Sequence, residues 1–420
     1  MTTKRLTVIG AVCTAAALAL AGCSSETSTP SSADSSSTSE ATAGAADRGP
    51  ITFAMGKNDT DKLQPVIEKW NADHPDEQVT LKELAGEADA QRETLVQSLQ
   101  AGSSDYDVMA LDVIWTADFA ANQYLAPLEG DLAVDTSGLL PATVESATYQ
   151  GTLYALPQNT NGQLLFRNTD LVTDAPANWK ELADSCQGLS EDCLTLQLKQ
   201  YEGLTVNTTN FINGWGGSVL DDSEAPAVET DQAKEGIQAL VDGYADGTIA
   251  KGSTSATEEE TNLAFTEGKT AYAVNWPYMY TNAKEAGINF EVTPLVAKDG
   301  TGVSTLGGYN NGINVNSKHK ATARDFIEFI INEDNQASFA DNSFPPVLAS
   351  IYEDATLVEK YPYLPALKES LENAKPRPVS PFYTAISKAI QDNTYAAITA
   401  GKSVDDTTKD MAAAISQAAK

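Results

Sequence analysis

The sequence predicts an α/β protein, and three observations carry that prediction. From residue 50 onward, segments with strand periodicity alternate with segments of helical periodicity. One of the strands, Asp107-Val108-Met109-Ala110-Leu111, is the nearly continuous apolar run expected of a strand buried on both faces of a parallel sheet. No short-period internal repeat occurs, which argues against a solenoid or propeller. Taken in order, Ile51-Thr52-Phe53-Ala54-Met55 reads as a strand. Leu63, Val66, Ile67 and Trp70 then recur at helical spacing, and Val79-Thr80-Leu81 alternates again. Gln91 to Gln100 reads as a helix closed by Gly102, which leads into the buried strand. This is the βαβ pattern.

What precedes residue 50 reads differently. Lys4 and Arg5, the apolar stretch Leu6 to Leu20, and Leu20-Ala21-Gly22-Cys23 have the order of a secretory signal, residues 1–22, ending in a small-residue cleavage site. The stretch is shorter than the roughly 20 apolar residues a membrane span needs. The tetrapeptide resembles the bacterial lipobox, which implies that Cys23 is acylated and becomes the first residue of the mature chain. Residues 24–49 hold Ser, Thr, Ala, Gly and acidic residues with no larger aliphatic and no aromatic, so 23–49 is expected to be a lipidated cysteine on a flexible tether spanning roughly 30 Å.

The 420 residues, 42% of them hydrophobic, suffice for two domains or one divided body. The formal charge is -31, and removal of the signal, whose only charges are Lys4 and Arg5, makes it more negative still. Such a chain is a poor partner for nucleic acid, whose binding depends on many Lys and Arg contacts to phosphate. Cys186 and Cys193 flank six residues of a polar loop, and outside the cytoplasm this pair reads as one local disulfide. A zinc site is the rival reading, but no second Cys pair accompanies it and the only histidines are His74 and His319. No metal site and no cofactor are expected.

Ligands of open α/β sheets bind beyond the carboxyl ends of the strands. Three segments fall there: Gly56-Lys57-Asn58-Asp59, Asp112-Val113-Ile114-Trp115, and Gln158-Asn159-Thr160-Asn161 after Leu153-Tyr154-Ala155-Leu156-Pro157. Taken singly, Asp59 and Asp112 read as helix caps. Their recurrence after successive strands points to a shared polar cleft.

Catalytic motifs are absent: no G-x-S-x-G elbow, no Walker loop, no G-x-G-x-x-G after a strand and no H-E-x-x-H. Two histidines at helix-end sequences make a Ser-His-Asp triad a poor reading. Asp135-Thr136-Ser137-Gly138 departs from the aspartic-protease motif through Ser137 and reads as a loop. A secreted glycosidase needs only two carboxylates at suitable separation, and among 58 acidic residues no feature selects a pair. Asn275-Trp276-Pro277-Tyr278-Met279-Tyr280 follows the apolar strand Ala271-Tyr272-Ala273-Val274 and sets aromatic rings beside amides, as a sugar-binding wall requires. Trp276 reads as exposed there, whereas Tyr278 and Tyr280 divide evenly between cleft and core.

Several stretches resemble the extracytoplasmic sugar-binding lipoproteins of ABC importers, of the maltose-binding type, over essentially the whole chain after the tether. They are Asp107 to Phe119, Tyr201-Glu202-Gly203-Leu204, Gly216-Gly217-Ser218-Val219, Ala264-Phe265-Thr266-Glu267-Gly268-Lys269, Val274-Asn275-Trp276-Pro277, and Arg377-Pro378-Val379-Ser380-Pro381-Phe382-Tyr383. Within that family the chain looks most like the trehalose-binding lipoproteins of actinobacteria.

The resemblance implies a two-lobed periplasmic-binding-protein type II fold with a hinge of crossing strands. Residues 50–158 with 289–345 would form one lobe and 159–288 with 346–420 the other, with crossings near 157–161, 277–288 and 344–347. Carried over by motif position, the sugar-binding residues are Asp59, Asp112, Asn161, Glu258, Trp276 and Arg377. Glu259 and Glu260 adjoin Glu258, and the motif does not choose among the three. At Gly307-Gly308-Tyr309-Asn310 an aromatic replaces the family's aliphatic, which adds Tyr309 to the site. The implied ligand is a disaccharide, trehalose ahead of maltose. The implied partners are the importer's permeases, reached by a monomeric receptor tethered through lipid alone to the outer face of the cell membrane.

Overall fold

A computed structural model describes residues 47–418, Asp222 excepted. The signal, Cys23 and most of the tether lie outside the described residues. The strands in chain order are β1 (Ile51–Gly56), β2 (Val79–Leu84), β3 (Val108–Asp112), β4 (Thr148–Tyr149), β5 (Thr152–Leu153), β6 (Ala155–Asn161), β7 (Leu164–Asn168), β8 (Asp192–Thr195), β9 (Thr270–Asn275), β10 (Phe290–Thr293) and β11 (Gly307–Ile313). They form two main sheets, β2-β1-β3-β11-β6 and β10-β7-β9-β8, and a small β4-β5 hairpin.

In the first sheet β1 runs parallel to β2 and β3, and β11 lies antiparallel between β3 and β6. The predicted helical stripe is realised in the helix Thr60–Asp73, which buries Leu63, Val66, Ile67 and Trp70. Trp70 and Phe53 both meet Phe326 of the helix Lys320–Ile330 edge-to-face, at ring separations of 5.6 and 5.7 Å. The helix Ala88–Gln100 stops just before Gly102, whose φ of +68° only glycine adopts without cost.

The second sheet is covered by helices that include Glu202–Gly214, buried along nearly its whole length between Asp231–Asp246 and Tyr383–Ala400. The Cys186–Cys193 disulfide is present, with a Cα separation of 5.5 Å, and joins the end of the helix Trp179–Ser185 to β8.

Two readings of the sequence change here. Gln158-Asn159-Thr160-Asn161 is not a segment beyond a strand but the last part of β6 itself. Pro157 lacks the N–H that a ladder needs, and the register slips opposite it, between Tyr309 and Asn310, so that the amide run stays in the sheet. Residues 290–293, placed by sequence in the first lobe, pair as β10 with β7 of the second sheet. Phe290 secures that edge against Phe166, Phe265 and Tyr280. The chain therefore returns to the first sheet after Thr293 rather than within 277–288.

Between the sheets the chain crosses through Gly162-Gln163, again before Gly307, and a third time beside Pro345, whose carbonyl accepts from Thr160 N–H at 3.0 Å. Lys375 then runs beside the second crossing, with Leu306 N–H donating to its carbonyl at 2.8 Å. No helix among the described residues is long and apolar enough to cross a membrane.

Candidate functional site

A cavity of about 570 Å³ opens between elements of the two sheets, within the roughly 300–1,000 Å³ typical of small-molecule sites. Asp59, Asp112, Asn161, Glu258, Trp276, Tyr309 and Arg377 all line it. The first sheet delivers Asp59 from the turn after β1, Asp112 from the end of β3, and Asn161 and Tyr309 from β6 and β11. The second sheet delivers Trp276 just past β9, and Glu258 from the start of the helix Glu258–Thr266.

Arg377 is the electrostatic centre. Its Nη1 donates to Glu202 Oε1 at 2.8 Å, and its Nη2 donates to Asp112 Oδ1 at 3.0 Å and to the Leu306 carbonyl at 3.3 Å. One guanidinium thus joins β3, the helix Glu202–Gly214 and a crossing segment. Burial works against its charge, but Asp112, Tyr383 and Glu202 outweigh burial and raise its pKa, so it stays cationic. Glu202 also accepts from the Tyr383 hydroxyl and from Ser387 Oγ at 2.6 Å, while burial raises its pKa against the pull of Arg377. The cap-or-cleft question for Asp112 resolves as both, since Oδ1 also accepts from Ile114 N–H at 3.2 Å. Asp59 makes no capping bond to the helix it precedes. It faces Lys62 at 3.5 Å, and burial raises its pKa.

The second wall centres on Glu258. Its Oε2 accepts from the Tyr201 hydroxyl at 2.7 Å, and burial raises its pKa despite that bond. Of its neighbours, Glu260 is spent on a capping box with Thr257, accepting from its N–H at 2.7 Å, whereas Glu259 also lines the cavity. Tyr201 can fold back onto Glu258 because residue 203 is glycine: a Cβ there would stand 2.3 Å from the tyrosine oxygen.

Trp276 lies across Gly307, where a Cβ would come within 2.9 Å of its ring and 3.1 Å of Asn161 Cβ. Gly308, with φ at +121°, lets β11 pass close to Asn159. Tyr309 sits among Asp59, Asp112 and Glu258; burial first, and those charges second, push its phenol well above the ordinary range, so it remains a hydrogen-bond donor.

The residues that sequence reasoning missed are Glu202 and Tyr201, though the stretch Tyr201-Glu202-Gly203-Leu204 had been singled out. Tyr278 and Tyr280 separate: Tyr278 lines the cavity, while Tyr280 rests on Phe290 and Tyr363 in the core. Six carboxylates, Asp59, Glu87, Asp112, Glu202, Glu258 and Glu259, outnumber three cations, Lys57, Lys62 and Arg377, so the lining is acidic by residue type, while burial raises the pKa of Asp59, Glu202 and Glu258. Among the described residues no group of three or more His, Cys, Asp and Glu side chains is arranged to hold a metal ion. The arrangement offers hydrogen-bond acceptors in excess, donors from Arg377, Asn161 and Tyr309, and a flat indole wall.

Comparison with known proteins agrees with this architecture. The maltose-bound structure of T. maritima MalE3 superposes with a TM-score of 0.82 at 29% identity, covering 88% of this chain and 99% of that one. The GacH receptor of Streptomyces glaucescens, solved unliganded and with acarbose, gives a TM-score of 0.78 at 24% identity over 88% of this chain and 98% of its own, which bears on fold alone. A probable ABC transporter-binding protein of Deinococcus radiodurans is 28% identical over 351 residues, 76% of this chain and 82% of that protein. The family described as bacterial extracellular solute-binding protein matches residues 56–337. With two-thirds of its length matched and the two-lobed fold in place, the chain is a member of the bacterial extracellular solute-binding protein family.

Proposed function

We propose that this protein is the lipid-anchored, monomeric receptor of an ABC sugar importer, held through Cys23 on the outer face of the cell membrane. It captures a neutral disaccharide and presents it to membrane permeases. The observation that carries the proposal is the convergence, on one cavity, of acidic and amide groups from the first sheet with Glu258 and the Trp276 ring from the second. Hydroxyl-rich ligands need many acceptors and a flat face, and a lining with more carboxylic groups than cations disfavours anionic ones. Trehalose is preferred on the motif resemblance, and maltose is the alternative because T. maritima MalE3 was solved with it bound. The lobes proposed are the bodies built on the two sheets, closing over ligand about the crossing segments.

Asp112→Ala is the cleaner test, because Glu202 still neutralises Arg377 in that variant, whereas removing Arg377 would strand the buried Glu202 together with the half-buried Asp112. It is expected to weaken disaccharide binding by about one to two decades, the cost of one or two hydrogen bonds to a charged group. Unchanged affinity in calorimetry would remove Asp112 from the site. Incubation with trehalose or maltose should release no glucose; release would assign the carboxylates to hydrolysis instead.

A further inference from the structure

Behind the second wall, and lining none of the cavity, lies a chain of buried amides that ties the crossing segments to the proposed sugar contacts. At the first crossing, Gln163 N–H donates to Ser304 Oγ at 2.8 Å, and Gln163 Oε1 accepts from Asn210 Nδ2 at 2.6 Å. Asn210 Oδ1 accepts in turn from the backbone N–H of Thr305 at 2.8 Å and from its hydroxyl at 2.7 Å, at the second crossing. Both crossings are therefore fastened to the one helix Glu202–Gly214.

From Gln163 the chain runs on toward the cleft. Its Nε2 donates to Gln197 Oε1 at 3.1 Å, and Gln197 Nε2 donates to Thr261 Oγ1 at 2.8 Å and to the Val274 carbonyl at 2.7 Å. Asn275 Nδ2 reaches the same Thr261 oxygen at 2.9 Å and the Glu258 carbonyl at 3.1 Å, while Asn275 Oδ1 receives Trp276 N–H at 2.8 Å. Gln163, Gln197, Thr261, Asn275 and Thr305 are each 1% exposed or less. Gln197 accepts a second bond, from Asn207 Nδ2 at 3.0 Å, so both donors and both acceptor positions of its amide are in use. A saturated buried network has one good arrangement, and losing a member strands its neighbours.

We infer that Gln197 and Asn210 are positioning residues: they bind the second-sheet ends of both crossings, Trp276 and Glu258 into one body. Lobe motion then pivots on the first-sheet side of that body, at Gly162 and Gly307-Gly308. The sugar contacts of the second wall travel as a unit, set by groups the ligand never touches.

The affinity arm of the test rests on the sugar-binding reading; the amide-exchange arm does not. In the full chain, Gln197→Met is expected to speed amide hydrogen exchange at Trp276 and Gln163 at least about tenfold while leaving β1, β2 and β3 unchanged. It should weaken trehalose or maltose binding about tenfold, but less than about threefold when Trp276→Ala is already present, because the effect passes through the indole. An equal penalty in both backgrounds, or unaltered exchange, overturns the inference. Should Gln197→Met fail to fold, Thr305→Val removes one donor to Asn210 and carries the same exchange expectation at Gln163. If the wild type binds neither sugar, the proposed function fails, and the exchange comparison alone decides this inference.

Discussion

Glu258 carries a pH signature at the scale of one residue. Its folded-state pKa lies above the ordinary 4.5 because burial disfavours the charged form. Folding therefore favours the neutral acid, a stabilisation complete below about pH 4.5 and lost as pH rises through the raised value. Glu258→Gln, which keeps an acceptor for Tyr201, is expected to raise the thermal midpoint above wild type at about pH 8 and to match it at about pH 4. Thermal scans at both values check this, and a variant less stable than wild type at the higher pH would contradict the account. Residue-level legibility was uneven for physical reasons. The seven assigned side chains share one cavity, yet nothing in a sequence distinguishes an aspartate that caps, as Asp112 also does, from one that does not, as with Asp59. Glu202 escaped notice because its partners Arg377, Tyr383 and Ser387 lie 175 or more residues away along the chain.

At the scale of elements, β11 shows how a strand serves a site. Gly307 keeps open the space into which Trp276 leans, and Gly308 supplies a left-handed φ where an L side chain would strain. Gly307→Val is expected to displace the indole and weaken sugar binding about tenfold, at a cost in stability of about 1–3 kcal/mol from overpacking. Gly252→Ala is the control, since a Cβ there meets nothing within 4 Å. Intrinsic tryptophan fluorescence and calorimetry read the pair; equal behaviour of the two variants would contradict the assigned role of Gly307. Elements with strong periodicity, such as the Leu63-Val66-Ile67-Trp70 stripe and the run ending at Leu111, were legible because their pattern is local. The amide half of β6 was not, because Pro157 and Asn159 disfavour strand by propensity and only pairing with β11 holds them there. The edge strand β10 was also missed, since its place depends on β7, more than 120 residues earlier.

At the scale of the whole molecule the two sheets are joined at several points, among them the Thr281 and Ser343 hydroxyls at 2.9 Å and the packing of Tyr383 against Leu111. Arg377 spans them in the interior, and Lys199 meets Glu87 at 3.2 Å near the surface, an exposed pair worth at most about 1 kcal/mol. In the proposed receptor a ligand touching both walls would shift the balance between open and closed forms by no more than its differential affinity for the two. The central claim is that the shared cavity holds a neutral disaccharide, and titration calorimetry of the protein with trehalose and maltose tests it most directly. The account predicts saturable binding at micromolar concentration, about 8 kcal/mol, for at least one of them; the absence of heat with both sugars at millimolar concentration would contradict it.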